Sequence, residues 1–353
     1  MPDVREHTDG FGPLDRRLEP VTAVSSAAKA DRVCCEKPAQ CQPPLPLPTD
    51  SRPHKPLAVG ALLAGAVAIA ASPLFVKVSE AGPIATAFWR VALALPFLWA
   101  WSALAQGHEH RASFARDRGL LIGAGLYFAG DLAVWHWSIV LTTVANATLL
   151  ANLAPIFVTL AVWLIYRRRP SARFAAGMAL ALSGTVVLLG GDFHGGGRAL
   201  SGDFLGVVTA MFYAAYQLTV TRLRSRAGTA AIMAWSGLFA AAALFPVALA
   251  SGEQILPATG TGWLKLFGLA LISQAAGQSL IAYAMAHLPP TFSSVGLLFQ
   301  PVMAALFAWA MLGEALGALA VAGGLAVLAG IRIAHQAEIA RRGLKGGTET
   351  RDG

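Results

Sequence analysis

Cysteine is nearly absent from this chain. Its three copies, Cys34, Cys35 and Cys41, all lie near the amino terminus and none in the apolar body that follows. No disulfide framework can therefore hold that body together, and three cysteines without a partnering His pattern make a poor metal site. Charge is also scarce. Lys, Arg, Asp and Glu make up 13% of the 353 residues, against 56% hydrophobic residues and a mean hydropathy of +0.57. A soluble chain of this length needs more charge on its surface. The net charge of +8 suggests nucleic-acid binding at first sight, but Lys and Arg sit in short segments and tails between apolar runs, as in membrane proteins. Polar alternation is missing as well, and the runs are too long and too rich in Ala, Leu and Gly for barrel strands. Catalytic signatures are lacking. No G-x-x-x-x-G-K-[ST] loop supports ATP-driven transport, no G-x-S-x-G appears, and His108-Glu109-His110 is too compressed for H-E-x-x-H. A single intramembrane Asp lacks the second carboxylate of an aspartyl protease. These gaps argue against an enzyme, and no cofactor or metal is implied.

What is present is a polar start and a long apolar remainder. Residues 1–56 are Pro-rich and balanced in charge, with 8 Lys/Arg against 8 Asp/Glu, a composition expected of a disordered tail without the apolar core of a signal peptide. From Leu57 onward the chain reads as an all-α integral membrane protein with ten transmembrane helices, since about 20 apolar residues cross a bilayer as a helix. The expected spans are 57–76, 83–104, 119–138, 143–166, 173–190, 203–221, 229–250, 263–284, 291–312 and 317–335.

The spans form one five-helix unit written twice at a constant offset of 146. Gly60 pairs with Gly206, Gly82 with Gly228, Trp89 with Trp235, Pro155 with Pro301, Trp163 with Trp309, Gly177 with Gly323 and Gly184 with Gly330. Five crossings end on the opposite side from where they begin, so residues 203–335 enter the membrane inverted relative to residues 57–190. Inverted repeats of this kind allow a central site to open to either side. Orientation follows from the basic residues. With the amino terminus in the cytoplasm, 15 Lys/Arg fall in inner loops and in the tail 336–353 with its adjoining helix end, against Lys77, Arg198 and Lys265 outside. The expectation is a cell (inner) membrane protein with both termini cytoplasmic.

Few polar residues lie inside the spans. Asp131 is the only carboxylate well inside one, where a charge costs about 2.5–3.5 kcal/mol on insertion scales and marks a functional position. Spacing of four residues places Tyr127 and Trp135 on its helical face, a setting that suits an organic cation or a proton. Arg90 is the one basic residue deep in a span, at matching depth, so a structural ion pair with Asp131 is the alternative. Gln274 and Gln278 lie at i, i+4 on the eighth span, the repeat partner of the third. Asn152 and Gln300 lie near Pro155 and Pro301, where amides can satisfy carbonyls that a proline frees or can reach a solute. Asn146 and Gln217 are further uncharged polar residues in spans. Tryptophans flank His136, which is expected in an interfacial aromatic belt. The small-residue rows Gly177/Ala181/Gly184 and Gly323/Val327/Gly330 favour close helix packing.

The motifs ANATLLANLAPIFVTLAVWL in the first copy and PPTFSSVGLLFQPVMAALFAWAMLGEAL in the second resemble the EamA-like family of the drug/metabolite transporter superfamily. The resemblance covers everything but the two tails. It implies ten helices, two pseudo-symmetric halves and movement of a small metabolite or drug. It also implies a common structural or gating role for the Arg90 position, which the family often fills with Arg. One departure stands out. The family often ends its fourth span with Gly-Glu, as Gly313-Glu314 ends the ninth, but the first copy reads Tyr166-Arg167-Arg168. The expected activity is secondary transport by alternating access, with proton coupling as an option and a small solute and the bilayer as partners. A passive channel is the alternative.

Overall fold

The computed structural model describes residues 55–105, 114–167, 169–190, 197–313 and 317–349, all helical or short connections. The tail 1–54, His108-Glu109-His110, Arg168 and Glu314 lie outside the described residues. Among the described residues, ten helices are long and apolar enough to cross a membrane: α1 (Pro56–Lys77), α2 (Pro83–Ala105), α3 (Arg116–Leu141), α4 (Ala145–Tyr166), α5 (Ala172–Leu189), α6 (Arg198–Arg224), α7 (Thr229–Ala250), α8 (Gly260–Ala284), α9 (Pro290–Met311) and α10 (Ala318–Arg341). An even number of crossings returns both ends of this body to one face. Where α6 and α10 outrun the expected spans, the added turns carry Arg222, Arg224 and Arg341. Such long side chains reach the headgroup level from a helix that continues past the hydrocarbon.

The packing obeys the repeat. α5 lies against α10, α3 against α6, α1 against α8, α4 against α6, α1 against α9 and α2 against α7. Moving each helix to its partner in the other copy returns the same set of pairs, so a pseudo-twofold relates the halves. The crossing of α5 and α10 shows why glycine is needed there. A Cβ on Gly177 would lie 2.8 Å from the Gly330 carbonyl oxygen, and one on Gly184 would lie 2.7 Å from that of Gly323. The rows that sequence spacing assigns to close packing thus meet within one chain, backbone against backbone.

Prolines set the internal breaks. α1 is interrupted at Ala71 before Ser72-Pro73, α2 at Leu93-Ala94 before Leu95-Pro96, α4 at Asn152-Leu153 before Ala154-Pro155, and α9 at Leu297-Leu298 before Phe299-Gln300-Pro301. Each proline removes a donor and opens the ladder one turn upstream, as expected for Pro155 and Pro301. One break has no proline. Residues Leu269–Gln278 of α8 form a π-helix inside the span 263–284 that the sequence predicts. Wider turns of this type bond i→i+5 and often mark functional positions.

Hydrogen bonds tie the connections on the face opposite the termini. Glu80 accepts from the Thr259 backbone N–H (3.0 Å) and from its hydroxyl (2.6 Å), and Glu253 accepts from the Ile84 N–H (2.9 Å). Each carboxylate caps a helix of the other repeat, so the α1–α2 and α7–α8 hairpins clasp one another. Thr142 donates to Asp203 at 2.8 Å and joins the α3–α4 turn to α6. On the termini face, buried Asp117 pairs with Arg226 and Arg116, both at 3.2 Å.

Candidate functional site

The four proline-broken helices converge on a partly open cavity of about 140 Å³ lined by α1, α2, α3, α4, α6, α8 and α9. Its upper wall is Ser72, Arg90, Trp135, Thr148 and Asn152. These residues lie in the halves of their helices nearest the face opposite the termini. Gln300, Gln278, Tyr213 and Phe128 lie deeper. Phe128 packs on Tyr216 with ring centres 4.9 Å apart, and Tyr216 in turn on Tyr213 at 6.2 Å. Beneath these rings Leu121, Leu223, Met285 and Phe292 fill the core.

Six of the eight site residues expected from sequence line this cavity: Asp131, Arg90, Trp135, Asn152, Gln278 and Gln300. A seventh, Gln274, stands behind Arg90. The guanidinium donates from Nε to Gln274 Oε1 (3.2 Å) and from Nη1 to Ser72 Oγ (3.1 Å). Arg90 is therefore fixed by partners on α8 and α1 rather than by Asp131. The two opposite charges face the same cavity and interact electrostatically across it, but no ion pair joins them among the described residues.

Tyr127 does not line this cavity. It is 39% exposed and points away from the cavity, and Phe128 takes its place. The cause is helical phase. At about 100° per residue, Trp135 and Phe128 lie roughly 40° and 60° to one side of Asp131, whereas Tyr127 lies about 40° to the other. The cavity is centred on the first side. His136 also departs from expectation. Instead of facing the interface it is buried, and its Nδ1 donates to the Leu132 carbonyl (2.6 Å), while Trp137 alone of the trio is well exposed.

Asn152 spends its amide N–H on the Thr148 carbonyl (2.7 Å) beside the α4 break, whereas Gln300 Nε2 and Gln278 Oε1 have no partner among the described residues. The amides beside the two repeat-related prolines thus differ. One mends the backbone and the other faces the cavity. Sequence reasoning missed Tyr213, Thr209, Ser72 and Thr148. The signal for the first two was Thr209, Tyr213 and Gln217 at successive i+4 steps in an apolar span, the spacing of one helical face. A cavity with one guanidinium, one carboxylate, three aromatic side chains and several amides or hydroxyls can hold a small amphoteric molecule. Among the described residues, no cluster of His, Cys, Asp and Glu could hold a metal.

Comparison with known proteins agrees with this fold. A solved crystal structure superposes with a TM-score of 0.67 over 79% of this chain and 96% of its own, at 18% identity, which establishes a shared fold. An uncharacterized transporter of Archaeoglobus fulgidus is 26% identical over 279 residues, 74% of this chain and 91% of its own length. A probable terminal-alkyne amino-acid exporter of Streptantibioticus cattleyicolor is 27% identical over 210 residues, 59% of this chain and 69% of its own. The model of the EamA-like transporter family matches twice, over residues 56–190 and 200–334. Ten spans, two repeats and this double match make the chain a multi-pass membrane transporter that belongs to the EamA-like transporter family of the drug/metabolite transporter superfamily.

Proposed function

We propose that the chain is a secondary active transporter of small amphoteric organic solutes, amino-acid-like in charge, working by alternating access rather than by catalysis. The observation that carries this is the pair of separated opposite charges in one open cavity. Arg90, held by Gln274 and Ser72, offers a fixed fork of donors to a carboxylate. Asp131, with Trp135, Phe128 and Tyr213 around the same cavity, offers a counter-charge and ring faces to an ammonium group. Free Gln278 and Gln300 amide atoms add polar contacts. The relative named as an amino-acid exporter supports the same solute class and suggests the outward direction.

Residues 57–190 and 203–335 serve as the two moving halves, with 1–56 and 336–353 as tails. The count of basic residues supports cytoplasmic termini in the cell membrane, which sets the wall of Ser72, Arg90, Trp135, Thr148 and Asn152 toward the outer face. Asp131 is the group that a proton gradient would act on. Solute flux into sealed vesicles of purified protein, with and without a pH gradient, tests the proposal. Saturable uptake of an amino acid above the outside concentration, collapsing with the gradient, is the expected result. Downhill, non-saturating flux would instead establish a passive channel.

A further inference from the structure

The paired helices α5 and α10 bury one side and leave the other bare. Phe174, Ala181, Val327 and Ala334 turn into the core. On the bare side Arg173, Leu180 and Val187 lie seven residues apart along α5. Val321, Leu325, Leu328, Arg332 and Gln336 lie three or four apart along α10. At about 100° per residue each set forms a single stripe, and every residue in both stripes is exposed.

The stripes run side by side. The glycine crossing sets Gly177 against Gly330 and Ala334, and Gly184 against Gly323 and Val327, so Leu180 stands level with Leu328 and Val187 with Val321. At the termini end Arg173 donates from Nη2 to Gln336 Oε1 at 2.9 Å, so both stripes face the same way. Arg332 lies one turn, about 6 Å, further into the span. Arg169 is exposed on the connection that leads into α5. Three guanidinium groups thus stand at the mouth of a shallow apolar seam. No carboxylate pairs with any of them among the described residues.

An excess of Lys and Arg on one side orients a membrane chain, but loop residues serve that purpose. Arg332 lies inside α10, well before the span ends at Arg341. The repeat supplies a comparison within the same molecule. The pseudo-twofold exchanges α5 with α10, so the seam has a second mouth on the opposite face. There the images of Arg173, Arg332 and Gln336 are Leu319, Val186 and Gly190. Both ends share the close packing and only one carries charge, so the helix contact does not require the guanidinium groups.

We propose that this mouth binds an anionic phospholipid of the termini-side leaflet, its phosphate held between Arg173 and Arg332 and its chains laid along Leu180, Leu328 and Leu325. Charge complementarity decides the occupant. Guanidinium forks match phosphate oxygens, and basic pockets between membrane helices take anionic headgroups. The long Arg332 side chain reaches the headgroup level from its deeper turn. A zwitterionic lipid brings the same phosphate but sets an ammonium group among three like charges, so the net-anionic headgroup is preferred. The bound lipid bridges one helix of each repeat.

Full-length protein, purified in detergent and stripped of lipid, is mixed with phosphatidylglycerol or with phosphatidylcholine of the same chains. Native mass spectrometry should show several-fold more phosphatidylglycerol retained. The melting temperature should rise with that lipid and not with the other, because a ligand that binds only the folded state stabilises it. Arg173→Gln/Arg332→Gln should cut the retention several-fold and cancel the rise. Arg118→Gln/Arg222→Gln removes equal charge from the termini ends of α3 and α6 and should leave both readouts as in the parent. If the first pair fails to fold, Arg332→Gln alone and Leu328→Trp, which fills the seam, should each lower the retention. Equal retention of the two lipids by the parent would overturn the site, since no headgroup is then recognised. Equal loss in the two double variants would reduce it to general charge attraction and overturn it as well. A lipid-free dimer in the parent that Leu328→Trp disperses would show that a second copy covers the seam instead. Each of these results leaves the transport function standing.

Discussion

Arg90 of the first repeat and Gln274 of the second meet inside the bundle, with guanidinium Nε donating to amide Oε1 at 3.2 Å. Gln274 is fully buried and lies in the π-helical stretch of α8. The repeat image of Gln274 in the first copy is Phe128, so the second repeat supplies the amide that orients the first repeat's cation while the first supplies a ring to the cavity.

Gln274→Leu keeps the volume and removes the acceptor. A hydrogen bond to a charged group contributes about 1.5–3 kcal/mol, so the apparent KM for an amino-acid solute should rise roughly tenfold or more while the folded yield is retained. Initial-rate uptake across solute concentrations measures this. Unchanged KM would mean that Ser72 alone suffices to hold Arg90.

Glu80 gives the pH dependence of the outer clasp. Its carboxyl is held below the ordinary value of 4.5, chiefly by the Thr259 hydroxyl, with the Thr259 and Ala258 backbone N–H groups and Lys265 adding to the effect. A lowered folded-state pKa means that the clasp stabilises the fold above the ordinary value. That contribution is lost as pH falls below 4.5 and through the lowered pKa. Melting temperature in detergent should therefore drop on acidification in the parent and less so in Glu80→Gln. Equal acid slopes would remove Glu80 from the clasp.

Arg167 is the only residue other than glycine with positive φ among the described residues, at 53°, and its repeat image is Gly313 at 69°. The left-handed helix end is kept in both copies although the Gly is not. Arg there costs about 1–2 kcal/mol of backbone strain. Arg167→Gly should raise the melting temperature, offset partly by the greater freedom of Gly in the unfolded chain. A lower melting temperature would show that the guanidinium matters more than the dihedral.

The residues themselves explain which features were legible in the sequence. Spans, repeat and the close-packing faces of α5 and α10 were visible because length, offset and small-residue spacing are one-dimensional properties; that the two faces meet each other was not. Asp131, Arg90, Gln278 and Gln300 stood out because polar atoms are rare in apolar runs. Tyr127 failed because spacing fixes a helical face but not which side of Asp131 turns inward; that depends on where α4 and α6 pack. The π-helix in α8 was hidden because Leu269–Gln278 carries no proline to announce it. Tyr213 and Ser72 were passed over because neither type is unusual in a span, and only the fold places them beside a charge.

The central claim is that separated charges in an open cavity bind and move the solute, and Asp131→Asn tests it most directly. Gradient-driven amino-acid uptake should fall more than tenfold, while the purified variant elutes and melts like the parent. Full transport by the variant, or loss of folded protein in place of loss of transport, would contradict the claim.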